Sequence, residues 1–146
     1  MWVLICAVFV LVVLIDQVSK YIIASNWSAS PHAGQSDSYW IRPTLNFRLG
    51  MGWFPAVPRQ FYILLIIGLG GMMVLLPPAL PRDLWLTTGL ALGIAGGVSN
   101  LLDFCRKGAT LDFIRIPRFA IFNLADVAIC MGVCLCTWRL MAFHLT

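Results

Sequence analysis

Apolar residues are gathered along this chain into four long runs separated by polar stretches. The first goes from Trp2 to about Ala24, the second from Phe61 to Leu76, the third from Leu84 to Leu102, and the fourth from about Ile121 to Phe143. A bilayer core takes roughly 20 residues of helix, so the pattern predicts four transmembrane helices at about 2–24, 61–76, 84–102 and 121–143. The first run lacks the basic start of a signal peptide, and Asp16 and Lys20 interrupt it where such a peptide is unbroken. It is therefore expected to span. Pro77-Pro78 is expected to stop the second helix. Arg139, near the end of the fourth, is long enough to snorkel to an interface.

A different period appears between the first two runs. Tyr39, Ile41, Leu45, Phe47 and Leu49 alternate with Arg42, Thr44, Asn46 and Arg48. A period of two marks a strand with one wet face, and the stretch at about 38–54 is read as a small β element between helices one and two. Trp40 breaks the alternation, and Pro43 points to an edge or a bulge. Trp53 and Phe54 suit an element resting on a membrane surface, where aromatic side chains are favoured. In the third run Gly89, Gly93 and Gly97 recur every four residues, with Gly96 beside them, and predict a ridge for close helix approach that leads to Asn100.

Composition confirms the class. The chain has 146 residues, of which 60% are hydrophobic and 11% charged, and the mean hydropathy is +0.88. A core of its own could not hide that much apolar surface, so lipid must cover it. The expected fold is a single all-α membrane domain over 1–146 carrying the small β element. The net charge of +4 has no basic block suited to nucleic acid, and an anionic membrane is the more natural partner. Cys6, Cys105, Cys130, Cys134 and Cys136 match no zinc spacing and are read as small packing residues. No metal and no cofactor are expected.

Charge also raises a conflict of orientation. The loops at 24–60 and 103–120 hold Arg42, Arg48, Arg59, Arg106, Lys107, Arg115 and Arg118, whereas the face with both termini has Arg82 and Arg139. By charge bias alone the loops would lie in the cytoplasm.

All six acids are aspartates, and an ionisable group within a span is a functional candidate. Asp16 and Lys20 are four apart on one helix face, as a salt bridge prefers. Asp126 follows Asn123 by three residues at the start of helix four, with Cys130 and Cys134 continuing its face; Asn123 is the better placed cap. Asp103 can pair locally with Arg106 and looks structural. Asp112 lies in the apolar segment Leu111-Asp112-Phe113-Ile114, a short loop away from Asp126. Two carboxylates at an apolar boundary cannot both ionise freely, and such a pair can activate water and polarise a carbonyl. A proton relay through Asp16, Lys20 and Asp126 in a small proton-coupled carrier subunit is a second reading, and a hydrolase using Ser99 and Lys20 a third.

Four segments resemble the lipoprotein signal peptidase (signal peptidase II) family. Asp16-Gln17-Val18-Ser19-Lys20 is similar to the family's Asp-Gln-x-x-Lys. Gly96-Gly97-Val98-Ser99-Asn100-Leu101-Leu102-Asp103 and Leu111-Asp112-Phe113 are similar to its Gly-Gly…Asn-Leu-Ile-Asp and Val-Asp-Phe, and Phe122-Asn123-Leu124-Ala125-Asp126 to its Phe-Asn-x-Ala-Asp. The resemblance implies an aspartyl endopeptidase of the bacterial inner membrane, multi-pass and monomeric, with its site near the extracytoplasmic face. It would cleave diacylglyceryl-modified prolipoproteins on the N-terminal side of the modified cysteine, without metal. The catalytic pair would be Asp112 and Asp126, with Asn100 and Asn123 holding substrate or the aspartates, Gly50 at the substrate, and Asp16 and Lys20 as support. Arg48, where the family has asparagine, is read as a substrate-binding cation that replaces the arginine missing at Phe104. Two positions depart from the family pattern. Arg48-Leu49-Gly50-Met51-Gly52 stands where the family has Asn-x-Gly-x-Ala, and Phe104 stands where it has arginine. A catalytically weak paralogue that binds precursors or a peptidase inhibitor is the alternative within this resemblance.

Overall fold

The computed structural model describes residues 2–29, 40–48, 58–79, 83–118 and 120–145. Four helices, α1 (Trp2–Ala29), α2 (Arg59–Ala79), α3 (Leu84–Lys107) and α4 (Leu124–Leu145), carry a three-stranded antiparallel sheet made of β1 (Ile41–Asn46), β2 (Thr110–Ile116) and β3 (Ala120–Phe122). By length and composition three segments can cross a membrane, namely Trp2–Trp27, Leu84–Lys107 and Leu124–Phe143, and α2 adds a shorter apolar stretch, Gln60–Met72. Their outer faces are apolar and exposed, with Val10, Leu14, Leu64, Ile67, Val133 and Leu140 among them. Lipid is the solvent that suits such a surface.

The elements differ from the pattern-based expectation in four ways. α1 runs on to Ala29 and α3 to Lys107, because the polar turns that close them are themselves helical. α2 includes Pro77-Pro78 and stops one residue later, at Ala79; proline's fixed φ fits a helix, and the missing N–H groups and the crowding of the i−4 carbonyls end it there. Ile121 and Phe122 belong to β3, so α4 starts at Leu124. The β element is not confined to the first loop. β1 pairs with β2, from the loop between α3 and α4, with Thr44 opposite Asp112 and Asn46 opposite Thr110. A register shift between Ile41 and Thr44 falls at Pro43, as expected of a strand that lacks one donor. Of the 38–54 stretch, residues 38–39 and 49–54 lie outside the described residues.

Helix α3 is the central post, packed by α1, α2 and α4. Asp83 caps its start by accepting from Leu86 N–H at 2.8 Å. That bond, aided by Arg139, holds the Asp83 carboxyl below its usual range against the opposing effect of desolvation. Arg139 of α4 reaches Asp83 at 2.5 Å and lies over the Phe143 ring, tying the two helices at this end. At the other end Gly108 adopts a left-handed φ of 73° and returns its N–H to Phe104 O at 3.0 Å. This cap turns the chain directly into β2.

Glycine sets the distance between α3 and α4. A Cβ on Gly96 would collide with the Ala125 carbonyl, and one on Gly132 would come within 2.5 Å of Gly89 O. The expected single ridge is in fact two surfaces. Gly89 and Gly96 point at α4 and the Gly93 backbone lies against Gly132, although a Cβ on Gly93 would meet nothing, whereas Gly97 faces Leu69 of α2. Cys130 and Cys134 are exposed instead of continuing the inward face of Asp126. The buried positions of α4 are Ala125, Ala128 and Gly132, which fit the small residues of α3.

Candidate active site

The site forms where the sheet meets the first turn of α4. Asn123 and Asp126 close that turn reciprocally. Asp126 N–H donates to Asn123 Oδ1 at 3.0 Å, and Asn123 N–H donates to Asp126 Oδ2 at 3.1 Å. This is a capping box with amide and carboxylate in the two roles. The other end of the Asn123 side chain is then free to reach the sheet, and its Nδ2 donates to Asp112 Oδ1 at 2.7 Å. One asparagine thus joins both carboxylates.

Each carboxylate is further surrounded by donors. Asp112 Oδ2 accepts from Asn46 Nδ2 at 3.0 Å, and Thr110 Oγ1 lies 3.4 Å from Asp112 Oδ1. The pairing of β1 with β2 puts these side chains on one face of the sheet. Asp126 Oδ1 accepts from Asn100 Nδ2 at 2.8 Å. Asp112 is buried, and desolvation raises its carboxyl above the usual range despite the donors and the charge of Lys20. That shift favours a retained proton.

Behind Asn100 lies an ion network sealed from solvent. Lys20 Nζ donates to Asn100 Oδ1 at 2.9 Å and lies 2.7 Å from both Asp16 Oδ2 and Asp103 Oδ2. Lys20, Asp16 and Asp103 are each at most 1% exposed. Asp103 Oδ2 meets the ammonium as a charge, without the alignment of a hydrogen bond. Asp16 also accepts from Ser99 Oγ at 2.7 Å and from Ala125 N–H at 2.9 Å. The expected Asp103–Arg106 pair is not formed. Asp103 turns inward to Lys20, and Arg106 Nη1 approaches Gln17 Oε1 at 3.4 Å instead. Attraction between opposite charges is stronger in the low-dielectric interior than at a wet surface.

A cleft of about 240 Å³ opens beside Asp126, with Asn46, Arg48, Asn100 and Thr110 at its polar end. Leu65 and Leu69 of α2, Gly97, Leu101 and Phe104 of α3, and Ile129 of α4 form its apolar walls. A second opening of about 350 Å³ is lined by Thr44, Asn46, Arg48, Asp112 and Ile121. Asn46 and Arg48 border both. Phe104 is buried and stacked on Tyr62, with centroids 4.8 Å apart, so it joins α3 to α2 and does not dip into lipid.

Of the residues singled out in the sequence, Asp112, Asp126, Asn100 and Asn123 come together in one hydrogen-bonded group, with Arg48 on the adjoining cleft. Gly50 lies outside the described residues. Asp16 and Lys20 stand behind the group and reach it through Asn100 and Ala125. Ser99 is fully buried and its hydroxyl donates to Asp16, which leaves no accessible nucleophile for a Ser/Lys hydrolase. Asn46 and Thr110 contact Asp112, and Gln17 contacts Ser99, in hydrogen bonds that local spacing does not announce. Asn46 had a signal in its place on the polar side of the alternating stretch.

Known proteins share this arrangement of elements. The profile of the Signal peptidase (SPase) II family matches residues 8–142. A lipoprotein signal peptidase of Moorella thermoacetica is 32% identical, covering 90% of this chain and 88% of its own. One of Coxiella burnetii (strain Dugway 5J108-111) is 33% identical over 85% of this chain and 81% of its own. A bacterial membrane enzyme solved by the in meso method superposes with a TM-score of 0.71 at 27% identity, covering 93% of this chain and 91% of that one. With a family profile running from helix α1 almost to the end of α4 and a shared membrane-enzyme fold, the chain belongs to the Signal peptidase (SPase) II family.

Proposed function

We propose that this protein is an aspartyl endopeptidase that removes the signal peptide from diacylglyceryl-modified prolipoproteins, cutting on the N-terminal side of the modified cysteine. The observation that carries the reading is the pair Asp112 and Asp126, bridged by Asn123, with Asp126 on the apolar-walled cleft and Asp112 on the adjoining opening. Such a pair holds one proton between two carboxylates. One member keeps that proton and polarises the scissile carbonyl, and the ionised member takes a proton from the attacking water. Later the shared proton passes to the leaving amine and the dyad returns to its starting charge. The cleft reaches down between α2 and α4 along α3, where an apolar segment of substrate or its acyl chains can enter from lipid.

Arg48 borders both openings and is placed to hold a backbone carbonyl or the ester region of the lipid. A charge-assisted hydrogen bond of this kind contributes roughly 1.5–3 kcal/mol. Purified protein incubated with a diacylglyceryl-modified prolipoprotein is expected to release the signal peptide, and Arg48→Asn to lower kcat/KM about tenfold or more. An unmodified precursor cleaved equally well would remove lipid recognition from the proposal. Intact modified substrate after prolonged incubation would favour a binding paralogue instead.

Four spans with both termini in the cytoplasm would place the sheet and the dyad on the extracytoplasmic side of the inner membrane. The asparagine and carboxylate site stands at the sheet end of the bundle, where an exported precursor would present its cleavage site. The basic loop residues favour the opposite orientation, and contacts with lipid or substrate are their role in this proposal. Alkaline phosphatase fused after Ser36 is expected to be active. An inactive fusion there, with an active one at Thr146, would mean inverted topology.

A further inference from the structure

Three asparagine side chains donate to the dyad, and for each the amide must face the right way. The two ends of an amide are nearly equal in shape, so partners decide which end points where. Asn46 Oδ1 accepts from Arg48 N–H at 3.0 Å, and Asn123 Oδ1 accepts from Asp126 N–H at 3.0 Å. Both are therefore fixed by the backbone. Asn100 differs. Its Oδ1 is held by the ammonium of Lys20 at 2.9 Å, and an ammonium can only donate. The Asn100 Nδ2 is thereby left facing Asp126 Oδ1 at 2.8 Å.

We infer that Lys20 is a positioning residue for the dyad: by holding the carbonyl oxygen of Asn100 it keeps that amide turned so that an N–H always faces Asp126. This role rests on the aspartyl reading and adds to it. In this arrangement α1 takes part in the chemistry without touching the cleft, through one amide. Lys20 is itself fixed by Asp16 and Asp103, so its donor direction is fixed too. Without Lys20, Asn100 can turn its carbonyl toward Asp126. Two acceptors then face each other unless the carboxyl takes up a proton, and the dyad binds its proton more tightly.

The charged surroundings point the same way. Asp126 is approached by Asp112 from β2, by Lys20 and Asp16 from α1, by Asp103 from α3 behind Asn100, and by Arg48 across the cleft. From α2 it is approached by the uncharged Leu65 and Leu69. Removing Lys20 takes away a nearby cation as well as the amide's anchor, so both effects move the pH profile upward. Separating them requires a neutral donor. Gln at position 20 has no charge but can still present an N–H to Asn100 Oδ1, whereas Met can do neither.

The test measures kcat and kcat/KM against pH for wild type, Lys20→Met, Lys20→Gln and Asn100→Leu, using a diacylglyceryl-modified prolipoprotein. Lys20→Met and Asn100→Leu are expected to move the acid limb up by about one pH unit, with Lys20→Gln between Met and wild type. Equal shifts for Lys20→Gln and Lys20→Met overturn the inference, because charge alone would then act. Should Lys20→Met fail to fold, Asn100→Leu isolates the amide, since it leaves the Lys20 charge in place, and an unmoved acid limb there overturns the inference. A raised KM with an unmoved profile in Asn100→Leu also overturns it, since Asn100 would only hold substrate. Cleavage by Asp126→Asn at the wild-type rate marks failure of the aspartyl reading itself, an outcome distinct from either of these.

Discussion

Asp112→Asn and Asp126→Asn are each expected to lower the cleavage rate by roughly 10²–10⁴-fold while the protein still inserts and purifies. The change removes the ability to trade a proton and leaves the shape almost unaltered. Its structural cost is readable in the surroundings. Asp112 accepts from Asn46, Asn123 and Thr110, so a new amide N–H would face a donor on one side. Asp126 accepts from Asn100 Nδ2 and from Asn123 N–H, and the same holds there. One lost bond of this type costs about 1–3 kcal/mol, which a native-like elution profile tolerates. Asp103→Asn, away from the cleft, is expected to cost far less activity. The check is single-turnover cleavage with the three variants side by side, and wild-type turnover by Asp126→Asn would end the aspartyl mechanism.

The largest effect on stability is expected from Asp16→Ala. The Asp16 carboxylate is fully buried and serves three partners, Lys20 Nζ, Ser99 Oγ and Ala125 N–H. Removing it leaves a cation with one fewer counterion and two donors with none. Breaking a buried pair in this way costs about 3–5 kcal/mol, which lowers Tm by roughly 10 °C in a chain of this size. Because Ala125 precedes Asp126, the start of α4 should loosen as well and activity should fall with stability. Thermal unfolding in detergent measures the first effect. A Tm within about 2 °C of wild type would mean that the network is far less tightly coupled than its distances imply.

Much of this was legible in the chain, and the misses have physical causes. The apolar runs gave the helices, the alternation around Ile41–Asn46 gave β1, and Pro43 gave its irregularity. Asn123 was recognisable as a cap because it precedes a carboxylate by three residues. Strand β2 left no period-two trace, since Leu111, Asp112 and Phe113 are all buried and both of its faces are covered. Asn46 looked like part of a wet face, but its side chain is turned to a carboxylate on the next strand and not to water. Local spacing paired Asp103 with Arg106. The local partner is Lys107, at 3.9 Å, and the close one, Lys20 at 2.7 Å, lies on another helix, where no sequence distance announces the contact. Cys130 and Cys134 were placed inward by following Asp126, although the small residues Ala128 and Gly132 are what α3 admits.

The capping box has a consequence for how activity can be lost. In the proposed mechanism Asp126 carries chemistry, and in the structure it closes the first turn of α4, so an oxygen acceptor is useful there even in a protein that cleaves nothing. Among the described residues Asp112 receives its hydrogen bonds from side chains alone, and no backbone group depends on it. A lineage released from turnover would therefore shed the strand aspartate readily and keep the helix one for its fold. Among divergent relatives, an aspartate at the position of Asp126 is weak testimony of an enzyme, and one at the position of Asp112 is strong.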